Sequence, residues 1–262
     1  MRIFIGYDPR EREGYEVCKK SIERRTSVPV DIIKLDQAAL VANGWFTRKW
    51  YWQEKQRIDI IDGKPFSTEF SFTRFMVPAL SLHQGWAMFC DCDFLFTADI
   101  AGLFRHIDNR YAVMCVKHQH EPAPGMKMDG VTQTRYHRKN WSSLVLWNCG
   151  HPANRAGLST HLVNHATGAW LHAFDWLEDG LIGGLPITWN WLAGYNATTE
   201  EIPCGIHFTN GLPCMAGHQN DPYAELWFAE RESRRYATGP LPTERVRAFA
   251  DVNPRIGVNV NG

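Results

Sequence analysis

The sequence predicts an α/β protein with a mostly parallel central sheet flanked by helices and a short C-terminal helical extension. Three observations predict it. The chain opens with an apolar strand, then a helix, then a second strand, the order of a parallel unit with a right-handed crossover. The run Trp86 to Phe96 is apolar enough for a buried strand, yet two acids one residue apart interrupt it. Strand-like and helix-like segments alternate onward to residue 236, which predicts one domain over residues 1–236 and a tail over 237–262.

The elements follow in order. Residues 2–7 form a strand that breaks at Gly6-Tyr7-Asp8-Pro9, and Glu11 to Arg25 form a helix with apolar positions at Tyr15, Val17, Cys18 and Ile22. Val28 to Leu35 is the second strand. In such sheets ligands lie beyond the carboxyl ends of the strands, which makes Tyr7 and Asp8 candidates for a site. No glycine-rich fingerprint follows, so ordinary dinucleotide binding and P-loop chemistry are not expected. The segment from Trp45 to Phe66 is aromatic and basic and has two readings: an exposed surface suited to sugars or a membrane face, or a helix with a Trp-rich core side.

Ser67 and Thr68 predict the cap of a helix running past Arg74 to Leu82 and disturbed at Pro78. A strand follows at residues 86–93, a helical turn at Asp99 to Phe104, and a strand at Tyr111 to Val116. Residues 118–140 read as a polar loop. It contains His137 as well as His118, His120 and Glu121, and these last three suggest a metal, but no fourth ligand follows at a known spacing and no specific zinc site is expected. Trp141 to Asn148 is a strand, Ala153 to Trp176 is largely helical, and Gly183, Gly184 and Pro186 break the chain before Trp189, Asn190 and Trp191. Glu225 to Tyr236 forms the last helix.

Composition narrows the function. Lys plus Arg and Asp plus Glu balance at 28 each in 262 residues, which argues against a nucleic-acid partner. A signal-peptide pattern and a stretch of spanning length are both lacking, so a cytoplasmic protein is expected, with contact at the inner face of a membrane left open by the aromatic segment. Seven cysteines without a Cys-x-x-Cys pair predict reduced, buried thiols rather than a disulfide framework.

The chemistry concentrates at Asp91-Cys92-Asp93. Carboxylates beside a core are costly without a cation or donors. In an extended segment Asp91 and Asp93 point to one side and Cys92 to the other, so one divalent ion could take a ligand from each acid. The alternative is that the two acids cap the turn that follows.

Four segments in this order resemble the nucleotide-sugar glycosyltransferases of the GT-A (Rossmann-like) type, in their retaining, family 8-like branch. They are Gly6-Tyr7-Asp8, the segment Ser71 to Pro78 carrying Arg74, Asp91-Cys92-Asp93, and His207-Phe208-Thr209-Asn210-Gly211-Leu212-Pro213. The resemblance implies that Asp91, Asp93 and His207 hold Mn²⁺ or Mg²⁺. It further implies that Tyr7, Asp8, Arg74, Cys92 and Gly211 contact the nucleotide diphosphate sugar, and that Arg74 and Asp179 act at the reacting sugar. The chain departs from that pattern in three places. Leu212-Pro213-Cys214 lacks the usual phosphate-binding Lys, Trp141-Ser142-Ser143 stands where an Asn usually contacts the sugar, and Glu178-Asp179-Gly180 stands for an Asp-Gln-Asp.

The expected activity is therefore metal-dependent transfer of a sugar from a nucleotide diphosphate sugar to a glycan or other hydroxyl acceptor, with retention. Trp189, Trp191 and the aromatic segment at residues 45–52 are candidate acceptor platforms. Two other readings remain: a silent carbohydrate- or nucleotide-binding protein, and a sugar nucleotidyltransferase, which ordinarily carries a glycine-rich basic loop after its first strand. Oligomeric state is not readable.

Overall fold

The computed structural model describes residues 1–119 and 138–233. Strand β1 (Arg2–Tyr7) buries Ile3, Phe4 and Ile5 and lies parallel to β2 (Asp31–Asp36), with Arg2 opposite Asp31. Between them runs helix α1 (Arg12–Arg25), which turns Tyr15, Val17, Cys18 and Ile22 into the core at the expected spacing. β2 starts later than the expected Val28, because Pro29 donates no backbone hydrogen bond and Thr26 and Val28 bond each other across a turn. Helix α2 (Gln37–Ala42) follows, capped by Asp36.

The aromatic segment does not form the expected alternative helix. It folds as a hairpin of β3 (Trp50–Gln53) and β4 (Gln56–Asp59), with Trp50 opposite Asp59. Trp50-Tyr51-Trp52 favours the extended backbone. Trp50 packs on Phe46 and Phe66, whereas Trp52 is 66% exposed. A buried ion pair, Arg48 with Asp59 at 2.6 Å and 2.8 Å, pins the hairpin's base.

The helix expected from Ser67 to Leu82 is also shorter. Ser67, Thr68 and Ser71 bond one another in a turn, a 3-10 turn spans Thr73–Met76, and α3 covers only Val77–Leu80. Pro78 lies in the first turn of α3, where its missing N–H costs nothing.

Strand β5 (Trp86–Cys90) stops before the acids, and β6 (Phe94–Phe96) leaves for a second sheet. Helix α4 (Ala101–Phe104) and β7 (Val113–Cys115) follow. Trp141–Ser143 is a 3-10 turn, so β8 (Leu144–Asn148) is shorter than expected. The expected helical stretch is three short helices, α5 (Pro152–Gly157), α6 (Thr160–His165) and α7 (Gly168–His172), each with a side-chain cap from His151, Ser159 or Thr167.

Gly183 and Gly184 do not break the chain but form β9 (Ile182–Gly184). A Cβ on Gly183 would lie 2.6 Å from the Tyr111 ring, so close packing rather than a turn requires that glycine. Strands β10 (Trp191–Leu192) and β11 (Gly205–His207) precede the last described helix, α8 (Ala224–Glu232).

The main sheet has the order β2-β1-β5-β8-β7-β9, and within it β8 alone runs against the others. The second sheet, β10-β11-β6, lies beside its carboxyl edge and packs Leu95, Ile206 and Phe208 with Val17 and Trp227. All seven cysteines are free thiols. Among the described residues no helix is long and apolar enough to cross a membrane. His120, Glu121, His137 and the tail 237–262 lie outside the described residues.

Candidate metal and donor site

β5 ends at Cys90, and Asp91 prolongs its pairing by donating its N–H to Ser143 O at 2.9 Å. Cys92 turns inward and its Sγ donates to Glu11 Oε2 at 3.1 Å. Asp91 and Asp93 therefore share the other side. β6 then pairs antiparallel with β11, so that the last residue of β11, His207, lies opposite Phe94 and stacks on its ring at 4.5 Å.

His207 is buried and held at both ring nitrogens. Nδ1 meets Asn190 Oδ1 at 3.0 Å, and Nε2 faces Asp93 Oδ1 at 3.3 Å. Asn190 Nδ2 donates to Ser143 Oγ at 2.9 Å, which turns Asn190 Oδ1 toward the imidazole and makes Nδ1 the protonated nitrogen. Nε2 then presents a lone pair to a carboxylate oxygen, an arrangement that calls for a cation between them. One ligand atom each from Asp91, Asp93 and His207 lies within 4.8 Å of the others. Two carboxylates and an imidazole suit Mn²⁺, with Mg²⁺ favouring the oxygens.

Arg74 braces this set. Its Nη1 lies 2.8 Å from Asp91 Oδ1 and donates to Ser142 O at 3.0 Å, while Nε donates to Phe70 O at 3.2 Å. Glu69, on the same segment, pairs with Arg57 at 2.8 Å. The centre opens into a cleft of about 610 Å³, which Arg74 and Gly211 also line together with Arg10, Lys139 and His172. The N–H of Gly211 donates to Phe208 O at 3.0 Å.

Four expected site residues are not brought to this cleft's lining. Asp8 is buried and accepts from the N–H, Nε and Nη2 of Arg10 and from the N–H of Glu69. Burial works against its charge, but the Arg10 and Glu69 donors hold its carboxyl below the usual range. It thereby holds the side chain of Arg10, which does line the cleft. Tyr7 packs edge-on against Tyr15 beneath Lys34. Cys92 points into the core, as its alternation with the two acids requires. Asp179, 87% exposed, opens the 3-10 turn Asp179–Leu181 and pairs with Arg138 outside the cleft.

Conversely, Asn190, His172 and Glu11 belong to the site and carried no sequence signal of it, while Ser142 and Ser143, from the segment that departs from the family pattern, line the cleft. Burial and the charge of Asp93 push the Glu11 carboxyl up to about 7, against the lowering effect of Cys92.

No protein-family profile matches the chain. A curated relative, Protein CDI of Arabidopsis thaliana, is 48% identical over 236 residues, covering 88% of this chain and 86% of that protein. Among solved structures, the bifunctional glycosyltransferase WbbM aligns with a TM-score of 0.59 at 13% identity over 88% of this chain. The chain spans 49% of WbbM and 61% of a second match, the glycosyltransferase GlyE of Streptococcus pneumoniae, which has a TM-score of 0.56 at 13% identity over 89% of this chain. The galactosyltransferase LgtC, solved with donor and acceptor sugar analogues, matches over 88% of this chain and 95% of its own, with a TM-score of 0.56 at 13% identity. The chain thus belongs to the family of Protein CDI of Arabidopsis thaliana, and its fold is that of the GT-A-type glycosyltransferases.

Proposed function

We propose that this protein is a metal-dependent glycosyltransferase of the family 8-like branch, moving a sugar from a nucleotide diphosphate sugar to a hydroxyl acceptor with retention. The observation that carries the reading is the convergence of Asp91, Asp93 and His207 at the mouth of a cleft beyond the carboxyl ends of the sheet strands. A divalent ion held there would supply Lewis-acid stabilisation of charge on a departing diphosphate. The chain's own residues prepare that environment. Asn190 orients the His207 ligand, Arg74 aims Asp91, and Arg10 and Lys139 add positive charge to a cleft that must hold phosphates. The Ser67-Thr68-Ser71 turn contributes hydroxyls to the wall.

Turnover of a panel of uridine and guanosine diphosphate sugars tests the reading, with Mn²⁺ present or chelated. Released nucleoside diphosphate is expected from one donor, only with the ion, and about 100-fold less from Asp93→Ala. The anomeric proton of the product reports retention. Metal-dependent binding of a donor without release favours the silent binding protein, and neither binding nor release refutes the site.

A further inference from the structure

Hairpin β3-β4 leaves apolar side chains in water on both of its faces. Among the described residues β3 pairs with β4 alone, so it is the outer edge of the ribbon. Successive strand residues point to opposite faces, which sends Tyr51 to one side and Trp52 to the other, and both are exposed, at 49% and 66%. The ladder runs one residue beyond β4, the Ile60 N–H donating to Lys49 O at 3.2 Å, so Ile60, 57% exposed, shares the face of Tyr51. Lysines flank these groups. Lys49, Lys55 and Lys64 are exposed and form no ion pair among the described residues, whereas Arg57 is committed to Glu69. Of the nearby acids, Asp59 is held by Arg48, and Asp62 accepts from the N–H groups of Gly168 and Lys64, which leaves Glu54 as the exposed carboxylate.

One exposed aromatic face would suit a sugar ring. Apolar groups on both faces of an edge strand, aliphatic as well as aromatic and flanked by lysines, suit the headgroup region of a bilayer. There aromatic rings bury their apolar bodies, lysine stems lie along apolar surface with the ammonium in water, and the edge backbone groups still meet water. We propose that the β3 edge binds the surface of an anionic bilayer, with Tyr51, Trp52 and Ile60 in the interface and Lys49 and Lys55 on lipid phosphates. Tyr51 stands opposite Ile58, and Ile58 opposite Pro65, which lines the cleft. The binding edge is thus two strand spacings, about 10 Å, from the cleft wall. The attachment needs neither donor nor ion, so it stands apart from the proposed function, and it sets the cleft beside the lipid surface.

Sedimentation of the full chain with sucrose-loaded vesicles tests the inference, using phosphatidylcholine alone and an equal mixture with phosphatidylserine. Wild type is expected to partition onto the mixed vesicles about tenfold more strongly than onto phosphatidylcholine. Tyr51→Ser with Trp52→Ser should lower that partition about tenfold. Lys49→Gln with Lys55→Gln should lower it by about as much and leave a residue that added salt weakens less than in wild type. Urea midpoints matching wild type establish that these exposed substitutions keep the fold. Should the aromatic pair fail to fold, Trp52→Ser alone and the lysine pair decide. A wild type that stays in the supernatant, partitions equally onto both vesicles, or loses nothing in either pair of substitutions overturns the inference. So does a wild type that ignores vesicles but is retarded by soluble dextran in affinity electrophoresis through Tyr51 and Trp52, since the patch is then a glycan platform.

Discussion

Asn190→Ala tests how His207, the proposed metal ligand, is held. Asn190 is fully buried, and its amide bonds His207 Nδ1 at 3.0 Å and Ser143 Oγ at 2.9 Å. Without it the imidazole loses the acceptor that keeps the proton on Nδ1, and Nε2 no longer offers its lone pair in one direction. Loss of such an outer partner lowers metal affinity roughly 10- to 100-fold, or about 1.4 to 2.7 kcal/mol. Two buried hydrogen bonds at about 1 kcal/mol each predict a stability loss of about 2 to 3 kcal/mol once the small cavity is included. Mn²⁺ titration followed by the paramagnetic resonance of the free ion measures the first quantity, and urea unfolding in chelator measures the second. Asn190→Asp, which keeps the acceptor, should retain most of the affinity. Unchanged Mn²⁺ affinity in a destabilised but folded Asn190→Ala would refute the reasoning, because the amide would then serve packing alone.

Three further outcomes follow from the geometry. Arg48→Ala leaves Asp59 charged and buried, so urea unfolding should show a loss of about 3 to 5 kcal/mol. Gly205→Ala places a Cβ 2.5 Å from the Trp189 carbonyl and must shift β11, so Mn²⁺ binding should weaken although no ligand is changed. Glu11 titrates near 7 in the folded chain against an ordinary 4.5, so in chelator the folded state binds the proton more tightly than the unfolded one. Stability contributed by that proton is present below about 4.5 and is lost as pH rises through about 7. Urea midpoints should fall across that window, and Glu11→Gln should flatten the fall.

The parts of this protein that were legible in its sequence are those governed by local pattern. Ile3, Phe4 and Ile5 followed by the helical spacing of Tyr15 to Ile22 announce the β1-α1 unit, and the alternation at Asp91, Cys92 and Asp93 announces two acids on one side. The hairpin at Trp50 to Asp59 was not legible, since aromatic spacing alone did not separate a Trp-rich helix from cross-strand pairing. Asp8 and Asp179 were placed in the site by sequence order alone, and an acid at the right distance along the chain can be turned to a neighbouring arginine, here Arg10 and Arg138. Asn190 escaped because its value lies in a contact with His207 and Ser143 that only the folded chain creates.

The central claim is that Asp91, Asp93 and His207 form one divalent-ion centre that serves a diphosphate. A crystal grown with Mn²⁺ and a nucleoside diphosphate tests it most directly, through the anomalous signal of the metal. The account predicts a single strong peak within ligand distance of Asp91, Asp93 and His207 Nε2, with diphosphate density beside it in the cleft lined by Arg10 and Lys139. A peak elsewhere, or ordered diphosphate with no metal between these three residues, would contradict it.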